Sequence, residues 1–193
     1  MSVSLRCYST SLGCPKNRVD TERLLGSLGA ALVPVGSPDE ADLVFINTCA
    51  FIQPATEESV RTIAQAIADI EDLPKRPLLA VAGCLVGRYH AEDLAPELPE
   101  VDLWLDNSDL EAWPAMLARK LGLPEPTVPG RILSTGPSYA WLKISDGCRH
   151  ACSFCAIPNI RGGHRSHCKD MIVREARALL DQGVKELNLV AQD

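Results

Sequence analysis

Three thiols stand within eight residues at Cys148-Arg-His-Ala-Cys152-Ser-Phe-Cys155, a C-x3-C-x2-C run. Thiolate is the soft anionic ligand that iron–sulfur clusters take, and a compact loop carrying three of them can hold three corners of a 4Fe–4S cube. The fourth iron is then left without a protein ligand. Zinc would need a fourth donor to close a tetrahedron, which His164, His167 or Cys168 could supply.

A second set of cysteines lies far upstream: Cys14 in Ser11-Leu-Gly-Cys-Pro-Lys-Asn17, Cys49 in Asn47-Thr-Cys-Ala-Phe-Ile52 and Cys84 in Ala82-Gly-Cys-Leu85. Each follows the end of a predicted strand. A single cysteine at an apolar strand end is usually a small core residue. Three at equivalent positions, each beside a polar or glycine turn, point instead to a shared site, because open α/β sheets bind ligands at the carboxyl ends of their strands. Of the eight cysteines, Cys7 and Cys168 remain. Cys7 is read as a strand residue and Cys168 as a loop thiol.

Something must bring these segments together, and the apolar pattern supplies it. Strands are expected over Val3–Ser9, Asp42–Asn47, Leu78–Ala82 and Val101–Leu105. Helices are expected over Val19–Leu28, Thr56–Ile70 and Asp109–Leu121, the last with Ser108 as N-cap. This alternation predicts an α/β domain with a doubly wound parallel sheet over residues 1–122. Residues 123–138 hold Pro124, Pro126, Pro129, Gly130, Gly136 and Pro137 and are read as a linker. A βαβ unit follows in residues 139–193: a strand over Tyr139–Ser145, a helix over Asp170–Gln182 ended by Gly183, and a strand over Val184–Val190. Two parallel strands leave unpaired edges, so this unit is expected to be the opening of a larger α/β domain.

Composition excludes other classes. Of 193 residues, 46% are hydrophobic and 23% charged, which is the balance of a globular protein. The net charge of −6 argues against a wholesale polyanion-binding surface. Residues 1–138 carry 11 basic and 19 acidic side chains, whereas residues 139–193 carry 8 and 6. The N-terminus has no apolar signal core and no run reaches membrane-spanning length, so a cytoplasmic protein without membrane contact is expected. In that reducing compartment the thiols are expected as ligands rather than disulfides.

At Cys148, Cys152 and Cys155 the chain resembles the radical S-adenosylmethionine superfamily, whose C-x3-C-x2-C loop follows the first strand of a partial (β/α) barrel. Phe154 stands where that superfamily commonly has an aromatic residue. With the upstream trio included, the chain is similar to the methylthiotransferases, a branch that binds an auxiliary 4Fe–4S cluster in its N-terminal domain. The resemblance covers nearly the whole chain. It implies that Cys148, Cys152 and Cys155 hold the radical-generating cluster with S-adenosyl-L-methionine, and that Cys14, Cys49 and Cys84 hold the auxiliary one. Gly13-Cys-Pro-Lys-Asn-Arg-Val-Asp-Thr-Glu22, Asn47–Ile52, Ala82–Tyr89 and Glu97-Leu-Pro-Glu-Val-Asp102 look like the ribosomal-protein type. That type methylthiolates the β-carbon of an aspartate in small-subunit ribosomal protein S-twelve. A low-potential electron donor such as flavodoxin or ferredoxin is implied as a second partner. Gln192 and Asp193 stand where superfamily members place cofactor-holding groups. The family continues through the rest of the barrel and a C-terminal β domain, so the chain is expected to be truncated relative to it. A tRNA methylthiotransferase and a non-catalytic iron–sulfur or zinc-binding fragment are the alternative readings.

Overall fold

The computed structural model describes residues 4–126 and 130–192. Val3 of the first expected strand, Pro129 of the linker and Asp193 lie outside the described residues. The elements, in chain order, are β1 (Leu5–Ser11), α1 (Pro15–Leu28), β2 (Leu32–Pro34), β3 (Leu43–Thr48), α2 (Gln53–Ile70), β4 (Leu78–Gly83), α3 (Cys84–Tyr89), α4 (Ala91–Leu94), β5 (Leu103–Asp106) and α5 (Trp113–Leu121). The second unit holds β6 (Tyr139–Lys143), β7 (Ser145–Asp146), α6 (Ile157–Arg161), β8 (Arg165–Ser166), α7 (Lys169–Asp181) and β9 (Glu186–Val190).

β1 to β5 form one parallel sheet in the order β2-β1-β3-β4-β5, the expected doubly wound α/β fold. Every residue of β3 is buried, as a strand covered on both faces must be. Its alternate residues go to opposite cores. Leu43 and Phe45 pack with Leu24 and Leu28 of α1 and with Trp113 and Leu117 of α5. Val44 and Ile46 pack with Ile63 and Ile70 of α2 and with Leu85 and Val86 of α3. Period-2 alternation therefore becomes two helical layers.

The register matters for function. Ser11 pairs with Asn47, Asn47 with Ala82, and Thr48 with Gly83. β1, β3 and β4 therefore end level, and the chain leaves the sheet at the same height each time.

One expectation is corrected. The last helix of this domain begins at Trp113 rather than Asp109, and Ser108 does not cap it. Asp106 instead accepts from the Ser108 N–H at 2.7 Å, and Asp109 from the Ala112 N–H at 3.2 Å. Two aspartates thus hold two tight turns before the helix can start.

In the second unit β6 and β9 pair in parallel, with Lys143 opposite Val190, and Leu179 and Val184 pack on Ala140 and Leu142. The short ribbon of β7 and β8 is antiparallel. The described residues just before β6 are tied to both units. The Arg131 side chain pairs with Glu22 at 2.7 Å and Glu175 at 2.9 Å. Ser134 donates to Glu22 from its N–H at 2.9 Å and its hydroxyl at 2.5 Å. α1 therefore forms the seam between the halves. Among the described residues no helix is long and apolar enough to cross a membrane.

Candidate functional site

In a sheet of this order the chain turns to one side after β1 and to the other after β3, which opens a crevice at their carboxyl ends. Cys14 occupies the N-cap of α1 and Cys49 follows β3, so both flank that crevice. Cys84 is the first residue of α3, directly after β4. The sequence-predicted trio thus gathers at the ends of three adjacent strands.

Two glycines permit the gathering. Gly13 adopts a φ of +81°, and a Cβ there would stand 2.6 Å from Cys49 Cβ and 2.7 Å from its Sγ. Gly83, at φ +98°, would likewise drive a Cβ into the Asn47 side chain and the Thr48 backbone. Each glycine precedes a cysteine of the trio, and only a residue without a side chain lets the loops approach this closely.

Polar side chains then lock the three loops. Asn17 donates to Leu12 O at 2.9 Å and Thr48 O at 2.8 Å. Asn47 donates to Asn17 O at 2.9 Å and Thr21 Oγ1 at 3.0 Å. The Thr48 hydroxyl donates to Ala82 O at 2.6 Å and accepts from the Leu85 N–H at 3.2 Å. Ser59 of α2 clamps the Cys49 backbone, donating to its carbonyl at 2.6 Å and accepting from its N–H at 3.0 Å.

Cys84 and Cys49 are 4% and 9% exposed, and Cys14 is half-buried. Cys84 Sγ donates to Asn17 Oδ1 at 3.7 Å and accepts from Asn107 Nδ2 at 3.7 Å. The neighbouring Cys84 thiol, with help from the Phe51 N–H and the charge of Arg161, brings the Cys49 thiol down to about 6 against the opposing effects of burial and Cys14. Its proximity to Cys49 and its burial push Cys84 up. The pair therefore gives up one proton readily and holds the second. By contrast, burial pushes the Cys7 thiol up to about 12, which makes it an inert strand residue as expected.

The donor set is entirely soft, and the charged group beside it is the cationic Arg161 rather than a carboxylate. This chemistry fits an iron–sulfur group. Among the described residues no three His, Cys, Asp or Glu side chains converge as a single-ion site requires. The thiols instead ring the crevice. Beside Cys14 a cavity of about 170 Å³ is walled by Arg18, Tyr139 and Trp141, with the two aromatic rings edge to face at 5.8 Å.

Cys148, Cys152 and Cys155 lie on the loop after β7. The Cys148 N–H donates to Gly162 O at 3.1 Å, the Cys155 N–H to Cys152 O at 3.1 Å, and the His150 N–H to Cys148 Sγ at 3.4 Å. Cys152 is exposed and the other two half-exposed, which leaves their sulfurs open to a ligand. Phe154 is 87% exposed. The structure does not bring His164 or His167 to this trio as donors. His164 Nε2 stands 3.1 Å from the Ser166 hydroxyl, and the His167 backbone N–H donates to Ile144 O. Cys168 is the exposed N-cap of α7. Gln192 has a buried side-chain oxygen without a hydrogen-bond partner among the described residues.

Sequence reasoning missed the buried charges between the two trios. Lys143, Arg161, Asp20 and Asp146 are each no more than 5% exposed. Lys143 pairs with Asp20 and, at 2.8 Å, with Asp146. Arg161 reaches Asp146 at 3.0 Å, Asp20 at 3.3 Å and Asn17 Oδ1 at 2.5 Å. Burial raises the Asp146 carboxyl, but the charges of Arg161 and Lys143 outweigh it and hold the group well below the usual range. One signal was available: Lys143 falls in step with Tyr139 and Trp141 on one face of a strand, where a lone charge needs a partner.

The family model described as "Uncharacterized protein family UPF0004" matches residues 6–106. "Ribosomal protein uS12 methylthiotransferase RimO" of Nitratidesulfovibrio vulgaris is 70% identical over 186 residues, covering 96% of this chain and 43% of that protein. The protein of the same name from Lawsonia intracellularis is 58% identical over 193 residues, 100% of this chain and 44% of its own. The one from Aquifex aeolicus is 49% identical over 184 residues, covering 95% and 40%. The chain thus spans less than half the length of these relatives. The matched segment includes Cys14, Cys49 and Cys84 with the strands that carry them, and the chain belongs to the UPF0004 family.

Proposed function

We propose that this chain is the N-terminal part of a radical S-adenosylmethionine methylthiotransferase acting on the β-carbon of an aspartate in ribosomal protein uS12, in the cytoplasm. The observation that carries this reading is the level ending of β1, β3 and β4, which sets Cys14, Cys49 and Cys84 around one crevice, with β6 and α6, which flank the C-x3-C-x2-C loop, packed on α1 and α3. The names of the relatives supply the substrate.

In this reading residues 1–122 form the auxiliary-cluster domain, residues 123–138 link it, and residues 139–193 open a partial (β/α) barrel. Cys14, Cys49 and Cys84 hold one 4Fe–4S cluster, and Cys148, Cys152 and Cys155 hold the other with S-adenosyl-L-methionine. These groups, reduced by a donor such as flavodoxin or ferredoxin, supply radical hydrogen abstraction and sulfur transfer at a carbon too weakly acidic for side-chain bases.

The protein's own residues do the positioning. Gly13 and Gly83 allow the thiols to approach, and Asn17, Asn47 and Thr48 fix the loops that bear them. Tyr139 and Trp141 wall the cavity beside Cys14. The test is mass spectrometry of uS12 and of tRNA from a strain lacking the gene. Loss of methylthio-aspartate from uS12 is expected; its persistence, or loss of a methylthio group from tRNA instead, would overturn the assignment.

A further inference from the structure

Burying two cations and two carboxylates between the halves is an expensive way to join them. Desolvation commonly cancels the Coulomb attraction, and apolar side chains of equal volume often do as well. Stability alone therefore does not account for Lys143, Arg161, Asp20 and Asp146. What distinguishes Arg161 from the other three is its reach. Its guanidinium fork meets Asp146 at 3.0 and 3.1 Å and Asn17 Oδ1 at 2.5 Å, the same oxygen that accepts from Cys84 Sγ at 3.7 Å. A lysine ammonium, a compact point charge, lacks that planar fork.

Both cysteine sites are anchored to this one residue. On one side, Asn17 stands three residues after Cys14, binds the carbonyl before Cys49, and accepts from Cys84 Sγ at 3.7 Å. On the other, Asp146 accepts from the Gly147 N–H at 3.0 Å, immediately before Cys148, and the Cys148 N–H donates to the carbonyl of Gly162, immediately after Arg161. A Cβ at Gly147 would fall on the Gly162 and Gly163 carbonyls, so the two segments touch backbone to backbone.

We propose that Arg161 is a positioning residue that fixes the separation of the two cysteine sites and supplies, from the second unit, the positive charge that tunes the iron–sulfur group held by Cys14, Cys49 and Cys84. The inference rests on the reading that this trio holds such a group. Hydrogen bonds to ligand sulfurs and nearby positive charge favour the more negative, reduced state of a cluster and so raise its potential. Cys84 has a neutral donor, Asn107 Nδ2 at 3.7 Å. Asn107 thus bonds the Cys84 sulfur directly, whereas Arg161 acts on it by charge from across Asn17.

The experiment is an anaerobic redox titration, followed by electron paramagnetic resonance, of the full-length parent protein and its Arg161→Met, Arg161→Lys and Asn107→Leu variants, with iron counted in each. In Arg161→Met the auxiliary cluster should titrate at a more negative potential, and its spin coupling to the second cluster should change. Arg161→Lys should restore part of the shift, and Asn107→Leu should shift the potential in the same direction by less. The cluster on Cys148, Cys152 and Cys155 should keep its own potential. If Arg161→Met does not fold, the lysine and leucine variants decide the matter. Unchanged auxiliary potential and coupling in the variants that retain full iron would overturn the proposal. Absence of the auxiliary cluster from the wild type would overturn the reading beneath it, and the iron count separates the two outcomes.

Discussion

Arg161 Nη2 and Asn17 Oδ1 are 2.5 Å apart although 144 residues separate them in sequence. Asn17 spends its amide donors on the carbonyls of Leu12 and Thr48, so a single side chain joins the loops of Cys14 and Cys49 to the guanidinium of the second unit. Replacing Asn17 with Ala strands the buried Thr48 carbonyl, deprives the half-buried Leu12 carbonyl of a donor, and removes an acceptor from a buried cation. Each unsatisfied group costs ~1–3 kcal/mol, so Asn17→Ala should lose roughly 2–4 kcal/mol in chemical denaturation. It should also retain less iron at the first trio.

Gly13→Ala tests the close approach on which that trio depends. The obstructing atom includes Cys49 Cβ, which no rotamer can move away, and φ is +81°. The strain of such a backbone is about 1–3 kcal/mol. The expected outcome is a folded protein of lower thermal midpoint whose iron is lost from the Cys14, Cys49 and Cys84 site while the Cys148 loop stays loaded. Separate spectroscopic signals for the two sites check it.

The seam along α1 is sensitive to acid through Glu175. Burial raises its carboxyl, but the hydrogen bond and charge of Arg23 together with Arg131 bring it below its ordinary 4.5. Because the folded value is the lower one, the unfolded chain binds the proton more readily. The contribution of Glu175 is therefore complete above the ordinary carboxyl range and is lost as pH falls through the lowered value. Urea midpoints should show the wild type ahead of Glu175→Gln at pH 7, with the gap closing in acid. A gap independent of pH would contradict this assignment.

Much of the fold can be read from local pattern. β3 and β4 are apolar runs, α2 shows its buried face at Ile63 and Ile70, and Gly122 ends α5 in the left-handed conformation that such caps require. The trio at the strand ends follows from the same pattern, because the strand boundaries place each cysteine just beyond a carboxyl end. Three-residue β2 carries too little period to be seen. α3 escaped because Gly83 turns the chain directly from strand into helix, so Cys84, Leu85 and Val86 look like a continuation of the apolar run. Arg161 gave no local sign of its role: its partners Asn17 and Asp20 lie on α1, and only the packing of one unit on the other brings them within reach.

The central claim is that two separate cysteine trios each hold an iron–sulfur cluster, and iron stoichiometry tests it most directly. Reconstituted anaerobically with iron and sulfide, the chain should bind about eight irons. The Cys14→Ser, Cys49→Ser, Cys84→Ser triple variant should bind about four, as should the triple variant of Cys148, Cys152 and Cys155. Zinc alone in the wild type, or iron undiminished in the first triple variant, would contradict the account.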